Sequence, residues 1–139
     1  MKPSACVFCA IAQGELPAHR VAETDAFLAF LDTRPVFDGH VLVIPRAHVP
    51  DFAALAPEAI GPFFALGQRV ALAQEHGLGA EGAFVGMNHR ISQSVPHLHL
   101  HIVPRRKGDG LRGFFWPRHT YASEAAAADI AQRIRLAVG

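Results

Sequence analysis

The sequence predicts a small α+β protein with an antiparallel sheet, one long helix and a C-terminal helix. Two observations carry this prediction: short apolar, β-branched runs are separated by turn residues, and two longer stretches suit helices, one by its apolar periodicity and one by its Ala-rich run. Because the order is strands, helix, strands, helix, an antiparallel arrangement is favoured over alternating βαβ units. The 139 residues suit one domain over residues 1–139, with an N-terminal segment at 1–14 and a basic loop and helix at 105–139.

The first part of the chain is expected to hold a short helix and three strands. Residues 6–13 can form a helix that ends at Gly14. Residues 20–23 and 26–31 are typical of two strands joined by a short turn. Residues 40–44 are apolar and rich in β-branched side chains, so they predict a buried strand.

The longest predicted helix follows. Pro57 can open it, and it is expected to run to about His76 and to stop at Gly77. Its apolar positions predict a broad buried face, formed by Ile60, Phe63, Phe64, Leu66, Val70, Ala71 and Leu72.

Two further strands and a last helix complete the prediction. Residues 83–87 form one strand, and residues 97–103 form another that Pro104 closes. Ser123 is expected to cap a final helix that continues to Leu136.

Composition and charge exclude several classes of protein. The formal net charge is +1, so no general attraction to nucleic acid is expected. The apolar runs are too short to cross a membrane, and the first twelve residues do not resemble a signal peptide. We therefore expect a cytoplasmic protein without a membrane partner, in which Cys6 and Cys9 are reduced.

Basic side chains are concentrated in one stretch that contains a single acid, Asp109: Arg105, Arg106, Lys107, Arg112 and Arg118. This stretch is either a solvated loop or a rim that attracts a phosphate-rich substrate. The aromatic segment 114–118 within it has two interpretations as well. It either packs in the core or places Trp116 or Arg118 beside a substrate pocket, including that of a second subunit.

Three histidines alternate with apolar residues in the run His-Leu-His-Leu-His-Ile at 97–102. Side chains alternate across a strand, so the histidines share one face at intervals of about 7 Å, while the apolar residues can pack on the helix. Such a row of imidazoles is compatible with a metal site, an acid–base site or a nucleophilic site. The nearby Asn88, Gln93 and Ser94 offer hydrogen bonds that suit oxyanion binding.

The run QSVPHLHLHIV at 93–103 resembles the signature of the histidine triad (HIT) family, which includes the Hint and Fhit branches. A second block at 30–32 and 39–45, continued by 46–48, resembles the family's nucleotide-binding half. The similarity covers about residues 6–107 and implies a HIT-like fold. The two branches remain open, because 103–105 resembles the Fhit ending whereas Gln93-Ser94-Val95 is closer to Hint.

The resemblance implies roles residue by residue. His99 matches the position that takes the nucleotidyl group, His101 matches one that contacts the phosphate and ribose, and His40 matches a supporting histidine on the adjacent strand. Asp32 matches a residue that binds the ribose hydroxyls. The positions around the α-phosphate and leaving group are Asn88, Gln93, Ser94 and Val95, with Ser94 as a hydrogen-bond partner of the leaving group. The positions of the base pocket are Phe8, Phe30 and Leu31, for which ordinary core packing is the alternative.

Cys6 and Cys9 form a C-x-x-C pair, which alone indicates a redox dithiol, half a metal site or coincidence. Some zinc-binding prokaryotic-type members of the family, and the related hexose-phosphate uridylyltransferases, bind zinc through such a pair and two histidines. The matching positions here are His48 and His97. The resemblance thus implies a structural Zn²⁺ site on the N-terminal segment, with Cys6, Cys9, His48 and His97 as ligands.

The function expected from this resemblance is a hydrolase or nucleotidyl transferase that acts at the α-phosphate of a purine nucleotide, with adenosine as the favoured nucleoside. The substrate would be a phosphoramidate, an adenylated amine or a dinucleoside polyphosphate, and the intermediate a covalent nucleotidyl-histidine. A homodimer is implied as well. The alternatives are a non-catalytic nucleotide-binding regulatory protein of the same fold and a zinc-stabilised interaction module for nucleic acid.

Overall fold

The computed structural model describes residues 5–113 and 116–138. The chain divides into two compact units, Met1–Asp109 and Gly110–Gly139. The described part of the first unit contains two α-helices, α1 and α2, a short 3-10 helix (Phe52–Ala54) between β3 and α2, and five strands. Their chain order is α1 (Val7–Ala12), β1 (Arg20–Glu23), β2 (Phe27–Leu31), β3 (Val41–Pro45), α2 (Pro57–Leu78), β4 (Gly82–Gly86) and β5 (Leu100–Arg105). The described part of the second unit contains helix α3 (Glu124–Val138).

The five strands form one sheet in the order β1-β2-β3-β5-β4. Every neighbouring pair is antiparallel. This arrangement confirms the predicted α+β class. It also puts β3 and β5 side by side in the interior of the sheet, so the residues around His40 and His101 come together although they are distant in sequence.

One face of the sheet packs against α2. Leu98, Leu100 and Ile102 share an apolar cluster with Phe63 and Val70 of the helix. Burial of each such side chain contributes about 1.5–3 kcal/mol to folding. The apolar half of the alternating run therefore faces the helix, and the histidines are left for the other side of the sheet.

The opposite face of the sheet is covered by the N-terminal segment. Cys6, Phe8 and Ile11 form a second buried cluster with Phe30 and Ile44 of the sheet. Although α1 has only six residues, these buried side chains hold it against β2 and β3. The segment that carries the cysteine pair thus lies on the same face as the histidines.

Several predicted element ends are wrong, among them the last residues of the long helix and of the last strand. The long helix does not stop at Gly77 but continues through Leu78, and Gly79 supplies the left-handed C-cap with a φ of 70°. Pro104 does not close the last strand, since β5 runs to Arg105. Pairing between β3 and β5 ends at Ile102, so Pro104 has a strand partner on one side only, where a missing N–H is tolerated.

The predicted apolar face of α2 is narrower than expected. Phe63, Leu66 and Val70 are buried, but three of the other predicted residues are exposed by 37–48%, namely Ile60, Phe64 and Leu72. The buried stripe follows the sheet, where Ala71 also packs against the core, and the three exposed side chains lie outside that contact.

The second unit bears out the predicted C-terminal helix. The N–H of Ala126 donates a 3.0 Å hydrogen bond to Ser123 Oγ, so Ser123 caps α3 as expected. Trp116 and Arg118 are exposed, and Phe114 and Phe115 of the aromatic segment lie outside the described residues. Across the described ranges, no helix is both long enough and apolar enough to cross a membrane.

Candidate active site and metal centre

The three histidines line the side of the sheet opposite α2, although only His101 lies within β5. The strand begins later than predicted, so His97 and His99 precede it, yet the alternation of side chains persists. The ring of Phe8 contacts His97 and His99 edge-on at centroid distances of 5.8 and 5.2 Å, and the rings of His99 and His101 are 5.1 Å apart. The structure therefore brings the triad into one row.

Hydrogen bonding fixes the tautomer of His99. Its Nδ1 lies 2.8 Å from the carbonyl oxygen of His97. A carbonyl oxygen can only accept, so Nδ1 carries the proton and donates it. In the neutral ring, Nε2 then holds a free lone pair. A buried neutral imidazole with a free Nε2 lone pair is the form that can attack an electrophile.

His40 and His101 form a directed pair. The backbone N–H of Val36 donates to His40 Nδ1 at 3.1 Å, so the neutral His40 ring carries its proton on Nε2. That Nε2–H donates to His101 Nδ1 at 2.9 Å. His101 must then carry its own proton on Nε2. The result is a hydrogen-bond donor beside the ring of His99.

Burial keeps this pair neutral. It lowers the pKa of His101 to about 4, with further contributions from the neighbouring His99 and His40, while Asp32 opposes the shift. Burial also lowers the pKa of His40, again against the effect of Asp32. Both rings are uncharged near neutral pH as a consequence, and the proton positions follow from the hydrogen bonds.

Asp32 lies at the edge of this pair. Its Oδ2 is 3.7 Å from His40 Nε2, and its Oδ1 accepts the backbone N–H of Arg34 at 2.9 Å. Its own N–H donates to the carbonyl of His40 at 2.9 Å. The carboxylate is thereby held where it can accept hydrogen bonds from the hydroxyl groups of a ligand.

Two cysteines and two histidines converge at the other end of the row. Cys6 Sγ lies 3.4 Å from His97 Nδ1, and Cys9 Sγ lies 3.2 Å from His48 Nδ1 and 3.5 Å from His97 Nδ1. The four ligand atoms all lie within 4.8 Å of one another, so this cluster could hold a metal ion. Both cysteines are free thiols. Two thiolates and two imidazoles are a donor set that suits tetrahedral Zn²⁺, and two thiolates would neutralise its charge in a buried place.

A hydrogen bond to His97 and the burial of Cys9 both favour a cation at this cluster. His97 Nε2 donates to the carbonyl oxygen of Pro45 at 2.8 Å, which leaves Nδ1 unprotonated towards the sulfur atoms. Burial, together with the adjacent Cys6, raises the pKa of the Cys9 thiol to about 11. A thiolate is therefore disfavoured here without a cation.

A second group, formed by Asp32, His40 and His101, also has its ligand atoms within 4.8 Å. It does not fit a metal in the same way. The Val36 N–H occupies Nδ1 of His40, so Nε2 keeps its proton and has no lone pair to offer. His40 and His101 instead form a hydrogen-bonded pair, with the Asp32 carboxylate 3.7 Å from His40 Nε2.

The loop before the triad is held by its own predicted site residues. Asn88 Nδ2 donates to the Ser92 carbonyl at 3.0 Å. Gln93 Nε2 donates to the Pro50 carbonyl at 2.7 Å, while its Oε1 accepts the backbone N–H of Arg90 at 3.1 Å. Asn88 and Gln93 thus shape the loop, whereas the side chain of Ser94 is exposed.

The predicted base pocket is corrected at one position. Phe8 and Phe30 meet edge-on at 5.7 Å on the face that carries the histidines, and Val95 packs against the same cluster. Leu31 packs instead against the cluster on the α2 face. Phe30 and Leu31 are consecutive in a strand, so they point to opposite faces and cannot share one pocket.

The comparisons with known proteins agree with this geometry. The sequence model of one family, described as the HIT domain, matches residues 13–108. The chain belongs to the histidine triad family. An uncharacterised HIT-like protein of Mycobacterium tuberculosis is 44% identical over 108 residues, which cover 76% of this chain and 75% of the relative.

Two further relatives add chemical context. An adenosine 5'-monophosphoramidase of Schizosaccharomyces pombe is 35% identical over 135 residues, covering 94% of this chain and 98% of that enzyme. A zinc-bound histidine triad family protein of Mycobacterium smegmatis is similar in structure, with a TM-score of 0.76 and 40% identity. That match covers 95% of this chain and 99% of the other.

Two backbone groups that fix histidine tautomers in the site could not be identified from the sequence. The Val36 N–H sets the tautomer of His40, and the Pro45 carbonyl sets that of His97. Both are backbone groups, so no residue type marks them, and only the course of the chain reveals them.

Proposed function

We propose that this protein is a hydrolase or nucleotidyl transferase that acts at the α-phosphate of adenosine nucleotides through a covalent nucleotidyl-histidine. The observation that carries the proposal is the fixed tautomer of His99, whose Nδ1–H is donated to the His97 carbonyl at 2.8 Å. The free Nε2 lone pair is the nucleophile. The adjacent His101, neutral and protonated on Nε2, supplies a hydrogen bond to a phosphoryl oxygen.

The proposed reaction has two displacements at phosphorus. In the first, the lone pair of His99 Nε2 forms a P–N bond, and the bond from phosphorus to the leaving group breaks with its electron pair. The leaving group takes up a proton from solvent, and the hydroxyl of Ser94 is its proposed hydrogen-bond partner. In the second, water forms a P–O bond and releases a proton to solvent, the P–N bond breaks with its electron pair returning to His99 Nε2, and the nucleoside monophosphate leaves with His99 restored.

Substrate recognition is assigned to the side chains around this row. The rings of Phe8 and Phe30, with Val95, offer an apolar wall against which a purine can pack. The Asp32 carboxylate is proposed to accept the ribose hydroxyls. The choice of adenosine is supported by the relative from Schizosaccharomyces pombe, whose name specifies an adenosine 5'-monophosphoramidate substrate class.

We propose a structural zinc ion on Cys6, Cys9, His48 and His97. Zinc would tie the N-terminal segment, which carries Phe8, to the chain beside β3 and β5. It takes no part in the displacement, since none of the proposed chemical roles falls on its four ligands. Reduced cysteines are required for this binding, in keeping with a proposed cytoplasmic location.

We also propose a homodimer formed through α2 and β4. β4 is an edge strand of the sheet, and Val85 on it is 48% exposed. An apolar groove lies between this strand and α2, lined in part by Phe64 and Ala71. A second copy would cover the groove and the exposed Leu72, which fits the need to protect an edge strand.

The test is a substrate panel with matched variants. Release of AMP is measured from an adenosine phosphoramidate, an adenylated amine and a dinucleoside polyphosphate, with wild-type protein and His99→Ala. We expect turnover by the wild type, a loss of more than about 10⁴-fold in the variant and retained AMP binding by calorimetry. Intact AMP binding without turnover of any substrate by the wild type would instead favour a non-catalytic nucleotide-binding protein.

A further inference from the structure

Gln74 is a buried polar residue in the middle of an apolar contact. It lies on α2, and it is 4% exposed. Its Nε2 donates two hydrogen bonds, to the carbonyl of Gly39 at 2.9 Å and to the carbonyl of Ile102 at 2.8 Å. Both partners can only accept, so the orientation of the amide is unambiguous.

The two carbonyls flank the His40–His101 pair of the site. Gly39 directly precedes His40, and Ile102 directly follows His101. One amide group of the helix thus joins the two chain segments that carry the paired imidazoles. It does so from the face of the sheet opposite the imidazoles themselves.

The Gly39–His40 peptide has little freedom. Gly39 has a φ of 96°, and a Cβ at this position would clash with Leu78 Cδ1. The N–H of His40 donates to the carbonyl of Phe37 at 3.0 Å. The bond from Gln74 holds the carbonyl side of the same peptide, so it completes the restraint on the backbone of His40.

The amide oxygen of Gln74, Oε1, indicates that this residue does more than fill space in the core. Oε1 is buried and has no hydrogen-bond partner among the described residues. A polar atom in that state is unfavourable, and an apolar side chain of similar shape would avoid it. What glutamine supplies that such a side chain cannot is its pair of N–H donors.

We propose that Gln74 is a positioning residue for the His40–His101 pair. Its amide holds the Gly39 and Ile102 carbonyls, and this keeps His40 Nε2–H donating to His101 Nδ1. The proton of His101 therefore stays on Nε2. The functional consequence rests on the proposed function, because it assigns the His101 Nε2–H to a phosphoryl oxygen. The structural consequence, a His40 ring held between the Val36 N–H and His101 Nδ1, is independent of it.

The test compares three variants with the wild type. Gln74→Met keeps the shape and removes both donors, and Gln74→Glu keeps the shape with at most one donor when protonated. Phe63→Leu is the control: it weakens packing on the same helix, where Phe63 meets Phe27, without touching either carbonyl. Each protein is measured for AMP release, for thermal stability and for the protonation of the His40 nitrogens by ¹⁵N-resolved NMR of the imidazole rings.

We expect kcat to fall about 10- to 100-fold in Gln74→Met, the size of effect that misplacement of a catalytic group produces, with KM within about twofold. Gln74→Glu should be intermediate, and Phe63→Leu should keep kcat despite lower stability. The NMR signature of a single Nε2-protonated His40 should become mixed in Gln74→Met. An unchanged His40 signature in Gln74→Met, or an equal loss of kcat in Phe63→Leu, would overturn the proposal.

The two proposals fail in distinguishable ways. If the wild type turns over none of the substrates, the proposed function is wrong, while the NMR comparison still decides whether Gln74 holds His40 in the position where the Val36 N–H fixes its tautomer. If the wild type is active and the His40 signature and kcat of Gln74→Met are unchanged, only the positioning role is wrong.

Discussion

Replacing His101 with glutamine should make the protein less sensitive to acid. Burial, assisted by His99 and His40 and opposed by Asp32, lowers the pKa of His101 from its ordinary value of 6.5 to about 4. As the pH falls below 6.5, the unfolded chain takes up a proton at this residue that the folded protein refuses until about pH 4. Stability is therefore lost across this interval and the loss levels off below it.

The size of the effect follows from these two pKa values. Between about pH 7.5 and about pH 5, His101 alone should cost the folded protein about 2 kcal/mol. In His101→Gln, the amide oxygen can still accept the His40 Nε2–H, so folding at neutral pH should be retained. The acid-induced loss of stability should then be about 2 kcal/mol smaller than in the wild type.

The assay is urea unfolding at both pH values, with protein and zinc concentrations held equal. Contributions from metal binding and from association are then common to both proteins and cancel in the difference. His76→Gln, at an exposed position of α2, is the matched control and should lose as much stability as the wild type. Equal acid-induced losses in His101→Gln and the wild type would refute the assignment of a buried, neutral His101.

Three other outcomes are expected. Cys6→Ser should lose bound zinc in elemental analysis and, at a zinc concentration about 1,000 times Kd, about 4 kcal/mol of unfolding free energy, while kcat changes little; retained metal would contradict the assignment. Val85→Lys should place a charge at the exposed β4 edge and give a monomeric mass by light scattering, whereas the exposed Ile91→Lys should leave the dimer intact. Ser94→Ala should slow amine release about 10²-fold and affect a leaving group that needs no proton much less, and equal effects on both would remove its role.

Much of the fold was predictable because local patterns and tertiary contacts agree. The alternation of histidine and leucine at 97–102 gave the correct faces, since burial of Leu98, Leu100 and Ile102 against α2 enforces it. The element ends were less predictable. The continuation of β5 through Pro104 depends on where β3 stops pairing, which is a property of the sheet and not of the segment.

The site was predictable in its residue types but not in its proton positions. The resemblance to the family indicated His99 and the cysteine pair as site residues. The structure brings the four predicted ligand residues together. The tautomers of His40, His97 and His99 depend on backbone groups of other segments, which leave no mark in the sequence. Gln74 is recognisable in the sequence as a polar residue in the buried stripe of α2. Its two hydrogen bonds could not be predicted without the positions of the Gly39 and Ile102 carbonyls.

The most direct test of the proposed reaction is to locate the residue that carries the covalent intermediate. A reaction with an adenosine phosphoramidate is quenched with denaturant during turnover, and the intact mass and peptide masses are measured. We expect an added adenosine monophosphate group on His99 of the wild type and no such group on His99→Ala. An adduct on His97 or His101, or near-normal turnover by His99→Ala, would contradict it.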